Sequence, residues 1–162
     1  MLNWLRSRGH GLTNSVVVPN LAEDRAHQGR KLESIRVIAF FGRLESRKGL
    51  EIFLEAIRRL AAEIGRENMP RIILYGRPGN MSDGGDGYHH AVSLRKSTGI
   101  SLTIRDSLDS QAALAELAST PDLLCVLPSL SDNLPYSVLE CLRMGIPFIA
   151  SNGGGVSELV AS

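Results

Sequence analysis

The chain has 162 residues, of which 43% are hydrophobic and 22% are charged, with 18 lysines and arginines against 17 aspartates and glutamates. These values are typical of a folded globular domain and exclude intrinsic disorder, and a net charge of +1 lacks the basic excess of a nucleic-acid-binding protein. No apolar run approaches the roughly 18 residues of a membrane span, and no secretory signal is visible, so we expect neither a transmembrane segment nor export.

Segments typical of strands and helices alternate along the chain. The clearest helix, over residues 48–64, places its apolar residues on one face with a period of 3.6. In chain order we expect a helical fragment over 1–8, strands over 15–19 and 35–41, a helix over 48–64, a strand over 71–75, a helix over 88–97, a strand over 101–105, a helix over 110–119, a strand over 123–127, a helix over 134–144, a strand over 146–150 and the start of a helix over 156–160.

This alternation predicts an α/β fold, in which a Rossmann-like parallel β-sheet of five or six strands carries helices on both faces. Residues 1–14 are expected to be the end of a preceding segment or a linker, and residues 15–162 to form the domain. Both ends look cut, which suggests a fragment of a larger protein. Ligands of such sheets bind at the carboxyl ends of the strands, so the strand-to-helix loops are the candidate functional segments.

Three cations gather in the loop after the second predicted strand, namely Arg43, Arg47 and Lys48. The N-terminus of a helix carries positive partial charge, so cations there are locally unfavourable unless an anion binds between them. A diphosphate would accept from the helix amides and pair with arginine and lysine together. The alternative is a solvated cluster that Glu45 and Glu51 partly neutralise.

Two carboxylates stand eight residues apart after the strand over 123–127. Asp132 lies in the loop and Glu140 on the following helix, where Pro135 suits the first turn. At this spacing each carboxylate could accept from a pair of sugar hydroxyls. The alternative is that Asp132 caps the helix and Glu140 is an ordinary exposed helix residue.

The remaining polar motifs indicate structure rather than chemistry. Adjacent histidines His89 and His90 follow the glycine-rich tract 83–87, but neighbouring helix residues cannot face one ion, so a mobile surface loop is expected there instead of a metal site. The glycines in 151–155 allow the backbone to approach a ligand closely, but a triple glycine is usually just a flexible turn. Cys125 and Cys141 lie in apolar segments and are expected as reduced core thiols of a cytoplasmic protein.

Several short motifs combine in a specific order and spacing. They are Val18-Pro19-Asn20, Gly42-Arg43 followed by Lys48-Gly49, Gly76, Pro128-Ser129 followed by Asp132 and Glu140, Gly145-Ile146-Pro147, and Gly154-Gly155 followed by Glu158. Together they resemble the C-terminal, donor-binding domain of retaining glycosyltransferases of the GT-B fold, in glycosyltransferase family 4. Residues 21–24 depart from the family pattern, Asp132 replaces the first acid of its E-x7-E motif, and Asn133-Leu134 replaces a Gly-aromatic pair.

The resemblance implies transfer of a sugar from a nucleotide diphosphate sugar to an acceptor with retention of configuration. It implies catalytic roles for Arg43, Lys48 and Asp132, with Arg43 and Lys48 on the diphosphate, Asp132 near the sugar and Glu140 on the ribose. The further substrate-binding residues that it implies are Gly42, Gly76, Arg105, Asn133 and Leu134. No cofactor or metal is expected, because Arg43 and Lys48 supply the countercharge.

The resemblance also implies partners and a location. The acceptor would be a glycan, a lipid-linked sugar or a small molecule, and an N-terminal GT-B domain would hold it. The expected location is the cytoplasm, or the inner face of the membrane in the full-length protein. This chain alone is expected to bind nucleotide weakly and to be inactive. Removal of Arg43 or Lys48 is expected to weaken diphosphate binding and to leave the fold intact.

Other functions stay open at this point. A nucleotide-sugar epimerase can share the same two-domain fold, and a non-catalytic nucleotide- or glycan-binding module would fit the departures at Asp132 and Asn133. A dehydrogenase of the Rossmann type is disfavoured, because no G-x-G-x-x-G follows the first strand and the phosphate loop is cationic.

Overall fold

The computed structural model describes residues 7–9, 32–132 and 135–156. Five strands lie in these ranges: β1 Val37–Phe41, β2 Arg71–Tyr75, β3 Leu102–Arg105, β4 Leu123–Leu127 and β5 Phe148–Ala150. Four α-helices accompany them: α1 Leu50–Ile64, α2 Gly87–Thr98, α3 Ser110–Ser119 and α4 Tyr136–Arg143. The predicted strand over 15–19, most of the predicted helix over 1–8 and all but the first residue of that over 156–160 lie outside the described residues.

The strands form one parallel sheet in the order β3-β2-β1-β4-β5. In the central strand, Val37 lies opposite Arg71 of β2 on one side and Leu123 of β4 on the other. The direction of strand succession reverses between β1 and β4, so the chains that leave their carboxyl ends lead to helices on opposite faces of the sheet and leave a crevice, where ligands of open α/β sheets bind. This topology confirms the predicted Rossmann-like fold.

The sheet is covered on both faces because alternate strand residues point to opposite sides. On one face α1 and α2 pack on β1 and β2, and the rings of Phe40 and Phe53 lie 5.4 Å apart between centroids. On the other face α3 and α4 pack around β4, and the free thiols of Cys125 and Cys141 are both buried there. The predicted core positions of the two cysteines are thereby confirmed.

Several element boundaries differ from the predicted ones. Helix α1 begins at Leu50 rather than at residue 48, because Gly49 adopts a left-handed conformation with φ of 75° and separates the helix from a 3₁₀ turn over Ser46–Lys48. Helix α4 begins at Tyr136, with Pro135 at its N-cap. None of the described helices combines the length and the apolar character of a membrane span.

Candidate functional site

A cleft of about 510 Å³ opens at the carboxyl ends of β1 and β2 and beside the first turns of α3 and α4. Six of the predicted catalytic and substrate-binding residues line it, namely Gly42, Arg43, Lys48, Gly76, Asp132 and Glu140, and so does Arg47 of the cationic loop. Asn133 and Leu134 lie outside the described residues. The chain therefore brings the cationic loop and the two carboxylates to one place, although they are far apart in sequence.

The floor of the cleft is set by the close approach of the loops that follow β1 and β2. The Gly42 amide donates to the Tyr75 carbonyl at 2.9 Å, and the Leu44 amide donates to the Arg77 carbonyl at 2.9 Å. A Cβ atom added at Gly76 would lie 1.9 Å from the Gly42 carbonyl oxygen. Only glycine fits at this position, which gives a physical reason for the residue that the sequence motif places there.

Two of the three cations share one acidic neighbour. Glu45, whose side chain is 13% exposed, pairs with Arg43 Nε at 3.4 Å and with Arg47 Nη2 at 3.0 Å. Glu51 instead accepts from the Ser82 hydroxyl at 2.5 Å, and this hydrogen bond is the main reason that its pKa is lowered. Glu45 therefore partly neutralises Arg43 and Arg47, whereas Glu51 accepts hydrogen bonds from two serines, Ser46 and Ser82.

The third cation pairs across the crevice. Lys48 Nζ contacts an Asp132 carboxylate oxygen, and the two side chains are only 18% and 9% exposed. Asp132 is not the cap of α4, since that position belongs to Pro135 and no side-chain hydrogen bond caps the helix. The pair joins the loop after β1 to the loop after β4, the two loops that border the crevice.

The main chain of Asp132 is held by the glycine-rich loop after β5. The Gly155 amide donates to the Asp132 carbonyl at 3.0 Å, and a Cβ atom at Gly154 would lie 2.1 Å from the same oxygen. Two residues before Asp132, the Leu130 amide donates to the Arg47 carbonyl of the loop after β1 at 3.0 Å. Residues 151–155 are therefore not just a flexible turn, because their glycines allow a close approach to the main chain of Asp132.

Glu140 lines the cleft from the second half of α4. The Ser110 hydroxyl donates to Glu140 Oε1 at 3.3 Å. Partial burial raises the pKa of Glu140, whereas the hydrogen bond from Ser110 and the charge of Arg143 both lower it. The carboxylate is thus held in a partly desolvated place and faces the cleft.

The Arg105 side chain does not line the cleft, although its carbonyl accepts from the amide of Gly76, which does, at 3.3 Å. Its Nε lies 3.3 Å from Glu116 Oε1, which also accepts from the Tyr75 hydroxyl at 3.0 Å. Burial is the main reason that the pKa of Tyr75 is raised. The Arg105 side chain therefore belongs to an ion pair on α3 and not to the lining of the cleft.

Sequence reasoning missed several lining residues, among them Arg77 and Ser110. Arg77 follows Gly76 directly, so the rule that strand ends face the ligand could have found it. It is exposed, and no ion pair neutralises it among the residues that the structure describes, unlike Arg43 and Lys48. No sequence signal pointed to Ser110, because its hydrogen-bond partner Glu140 is 30 residues away along the chain.

The two histidines bind separate carboxylates. His89 Nδ1 contacts Asp86, which also caps α2, and His90 Nε2 lies 3.0 Å from Asp83. The described part of the chain contains no group of three or more histidines, cysteines or acids arranged to hold a metal ion. Each histidine thus braces the segment that leads into α2, and His89 and His90 lie on the helix itself.

The amino-acid sequence of the chain is similar to those of known proteins. The family described as glycosyl transferases group 1 matches residues 35–162. A D-inositol 3-phosphate glycosyltransferase of Corynebacterium glutamicum is 29% identical over 128 residues, which are 78% of this chain and 29% of that protein. The same enzyme of Corynebacterium diphtheriae is 29% identical over 123 residues, 75% of this chain and 27% of that protein. The chain thus spans less than a third of the length of these relatives.

Solved structures share the fold at lower identity. The apo structure of OtsA superimposes with a TM-score of 0.60 at 17% identity, covering 81% of this chain and 32% of that one. AviGT4, a glycosyltransferase involved in avilamycin A biosynthesis, gives 0.59 at 20% identity, with 97% and 44% covered. HepE of Anabaena, solved in complex with UDP-glucose, gives 0.57 at 19% identity, with 77% and 32% covered.

Proposed function

The chain belongs to the glycosyl transferases group 1 family, and from this premise we propose that its cleft binds a nucleoside diphosphate sugar whose sugar is transferred to an acceptor with retention of configuration. The observation that carries the proposal is the convergence of Arg43, Lys48, Asp132 and Glu140 on one cleft at the carboxyl ends of the strands. The complex of HepE with UDP-glucose supports the choice of ligand class.

Different residues of the cleft would bind the diphosphate, the ribose and the sugar of the ligand. The diphosphate would lie between Arg43 and Lys48, whose positive charges stabilise the leaving group as negative charge develops on it. Glu140 would accept from the ribose hydroxyls on the opposite wall. Lys48 would then be shared between the diphosphate and Asp132, whose carboxylate would face the sugar. The acceptor would be held by a further domain, so we expect this chain alone to bind nucleotide without transferring sugar.

Calorimetric titration of the chain with UDP, ADP and GDP tests this proposal. We expect one of the three to bind, with no change on addition of a chelator, because the two cations supply the countercharge in place of a metal. Arg43→Ala should weaken binding by about 1.5–3 kcal/mol, the value of a charged hydrogen bond. The matched control is Arg59→Ala, which removes an exposed arginine of α1 outside the cleft.

Two results would contradict parts of the proposal. If none of the three nucleotides binds to the chain, the assignment of the cleft is wrong. If binding disappears with the chelator, the metal-free arrangement is wrong.

Glu140→Gln should weaken nucleotide binding by about 1–3 kcal/mol. The substitution keeps the size of the side chain but replaces one acceptor oxygen by a donor amide, which a ribose hydroxyl pair cannot use equally well. The same titration repeated with a 2′,3′-dideoxynucleoside diphosphate is the control, because that analogue lacks both hydroxyls. Parent and variant should bind the analogue alike. An equal loss for both ligands would give Glu140 a structural role instead.

A further inference from the structure

The Glu140 carboxylate is presented to the cleft by a contact between two helices. Ser110 is the first residue of α3, and its hydroxyl donates to Glu140 Oε1 of α4 at 3.3 Å. Asp109 caps α3 by accepting from the Ala112 amide at 2.8 Å, which fixes the backbone that carries Ser110. Both Ser110 and Glu140 line the cleft. The serine is therefore placed beside the carboxylate by a capped helix end.

We infer that Ser110 is a positioning residue for the nucleotide, which holds Oε1 of Glu140 and thereby directs Oε2 toward the ribose. The inference rests on the proposed function and deepens it, because it assigns a second residue to ribose recognition. A carboxylate without this hydrogen bond would rotate more freely about its last torsion, and part of the binding energy would be lost in ordering it. Ser110 acts through Glu140 and need not touch the ligand.

The same hydrogen bond also affects ionisation. Burial favours the protonated form of Glu140, whereas the Ser110 hydroxyl favours the ionised form, which is the form that accepts from two hydroxyls. A carboxyl with a raised pKa loses its charge as the pH falls through that pKa, and nucleotide binding should fall with it. Loss of the Ser110 hydroxyl would raise the pKa further, so binding should be lost at a higher pH.

The charged groups around Glu140 come from every wall of the cleft. On its own helix, Arg143 favours the ionised carboxyl. At the N-cap of α3, the carboxylate residue Asp109 also lines the cleft. From the loops after β1, β2 and β4 the lining charges are Arg43, Arg47, Arg77, Lys48 and Asp132. All of these charges stay in place in a Ser110 variant, so its effect can be assigned to the hydroxyl.

Two measurements on Ser110→Ala test the inference. The first follows the side-chain carboxyl carbon of Glu140 by NMR over a pH titration of the free chain, with Glu140→Gln to assign the signal. The second measures affinity for whichever of UDP, ADP and GDP the parent binds, at pH 7.5 and at about pH 5.5. We expect the Glu140 titration to move to higher pH, and affinity to fall by about three- to tenfold, more at the lower pH. Ser110→Thr keeps a hydroxyl and should restore both values.

The controls separate this inference from the proposed function. Ser107→Ala changes a serine of the loop that precedes α3, which does not line the cleft, and it should leave both measurements unchanged. With a 2′,3′-dideoxynucleoside diphosphate the loss caused by Ser110→Ala should disappear. A parent chain that binds no nucleoside diphosphate contradicts the proposed function before any variant is made. Unchanged affinity in Ser110→Ala, with or without a shifted titration, overturns only the positioning role of Ser110.

Discussion

Gly49→Ala is expected to lower the free energy of unfolding by about 2–5 kcal/mol, measured by urea denaturation. Gly49 has φ of 75°, a conformation that strains any residue with a Cβ atom. In addition, a Cβ atom there would lie 1.9 Å from the Pro128 carbonyl oxygen, and backbone cannot move aside as a flexible side chain can. The loops after β1 and β4 would have to separate, so nucleotide binding should weaken together with stability.

Gly84→Ala is the matched control for this substitution. Gly84 has a similar φ of 85°, but nothing lies within 4 Å of a Cβ atom built on it. It therefore carries the conformational strain without the collision, and we expect it to cost only about 1–2 kcal/mol. If the two substitutions lower the free energy of unfolding equally, the collision of the added Cβ atom with the Pro128 carbonyl oxygen does not contribute to the loss.

Lys48→Met should destabilise the chain by about 1–3 kcal/mol, because it leaves the buried Asp132 carboxylate without its cation. This differs from the expectation drawn from sequence, in which removal of Lys48 leaves the fold intact. The structure favours a loss of stability instead, since the cation already has a buried partner. Asp132→Asn in the same background should recover most of the loss.

A double-mutant cycle of the Lys48–Asp132 pair measures this coupling from the urea midpoints of the parent, the two single variants and the double variant. We expect about 1–2 kcal/mol of coupling, as is usual for contacting residues of one network. The comparison pair is Arg58 and Glu55 on α1, which are also in contact but exposed, so their coupling should be much smaller. Similar coupling in both pairs would mean that burial adds nothing to the pair in the cleft.

The fold was largely predictable because buried parallel strands and amphipathic helices leave strong periodic signals. The bounds of β2, β4 and α3 agree with the predicted ones. Each is a clear periodic or apolar run that is bounded by turn or capping residues, such as Gly76 after β2 and Asp109 before α3. The start of α1 was not predictable. Its position depends on the left-handed turn at Gly49, which is selected by the approach of a distant carbonyl and not by local helix propensity.

The loops that form the site were predictable from sequence, but the side-chain pairs within it were not. The carboxyl ends of parallel strands lie at one edge of the sheet, and this rule alone predicts that Arg43, Lys48, Asp132 and Glu140 lie near one another. Which side chain contacts which depends on the order of strands in the sheet, and a sequence read locally does not contain that order. The Lys48–Asp132 pair and the contact of Ser110 with Glu140 therefore appeared only in three dimensions, as did the ion pair of Arg105 with Glu116.

The central position of β1 has a kinetic consequence. Lys48 and Asp132 are 84 residues apart in sequence, and their loops meet only after β4 has paired with β1. Contacts of such long range cost much loop-closure entropy, so the crevice should be among the last features to form during folding. A ligand bound there would stabilise the finished domain by mass action and would stabilise the folding transition state little. Bound nucleotide is therefore expected to slow global unfolding while leaving the rate of folding almost unchanged.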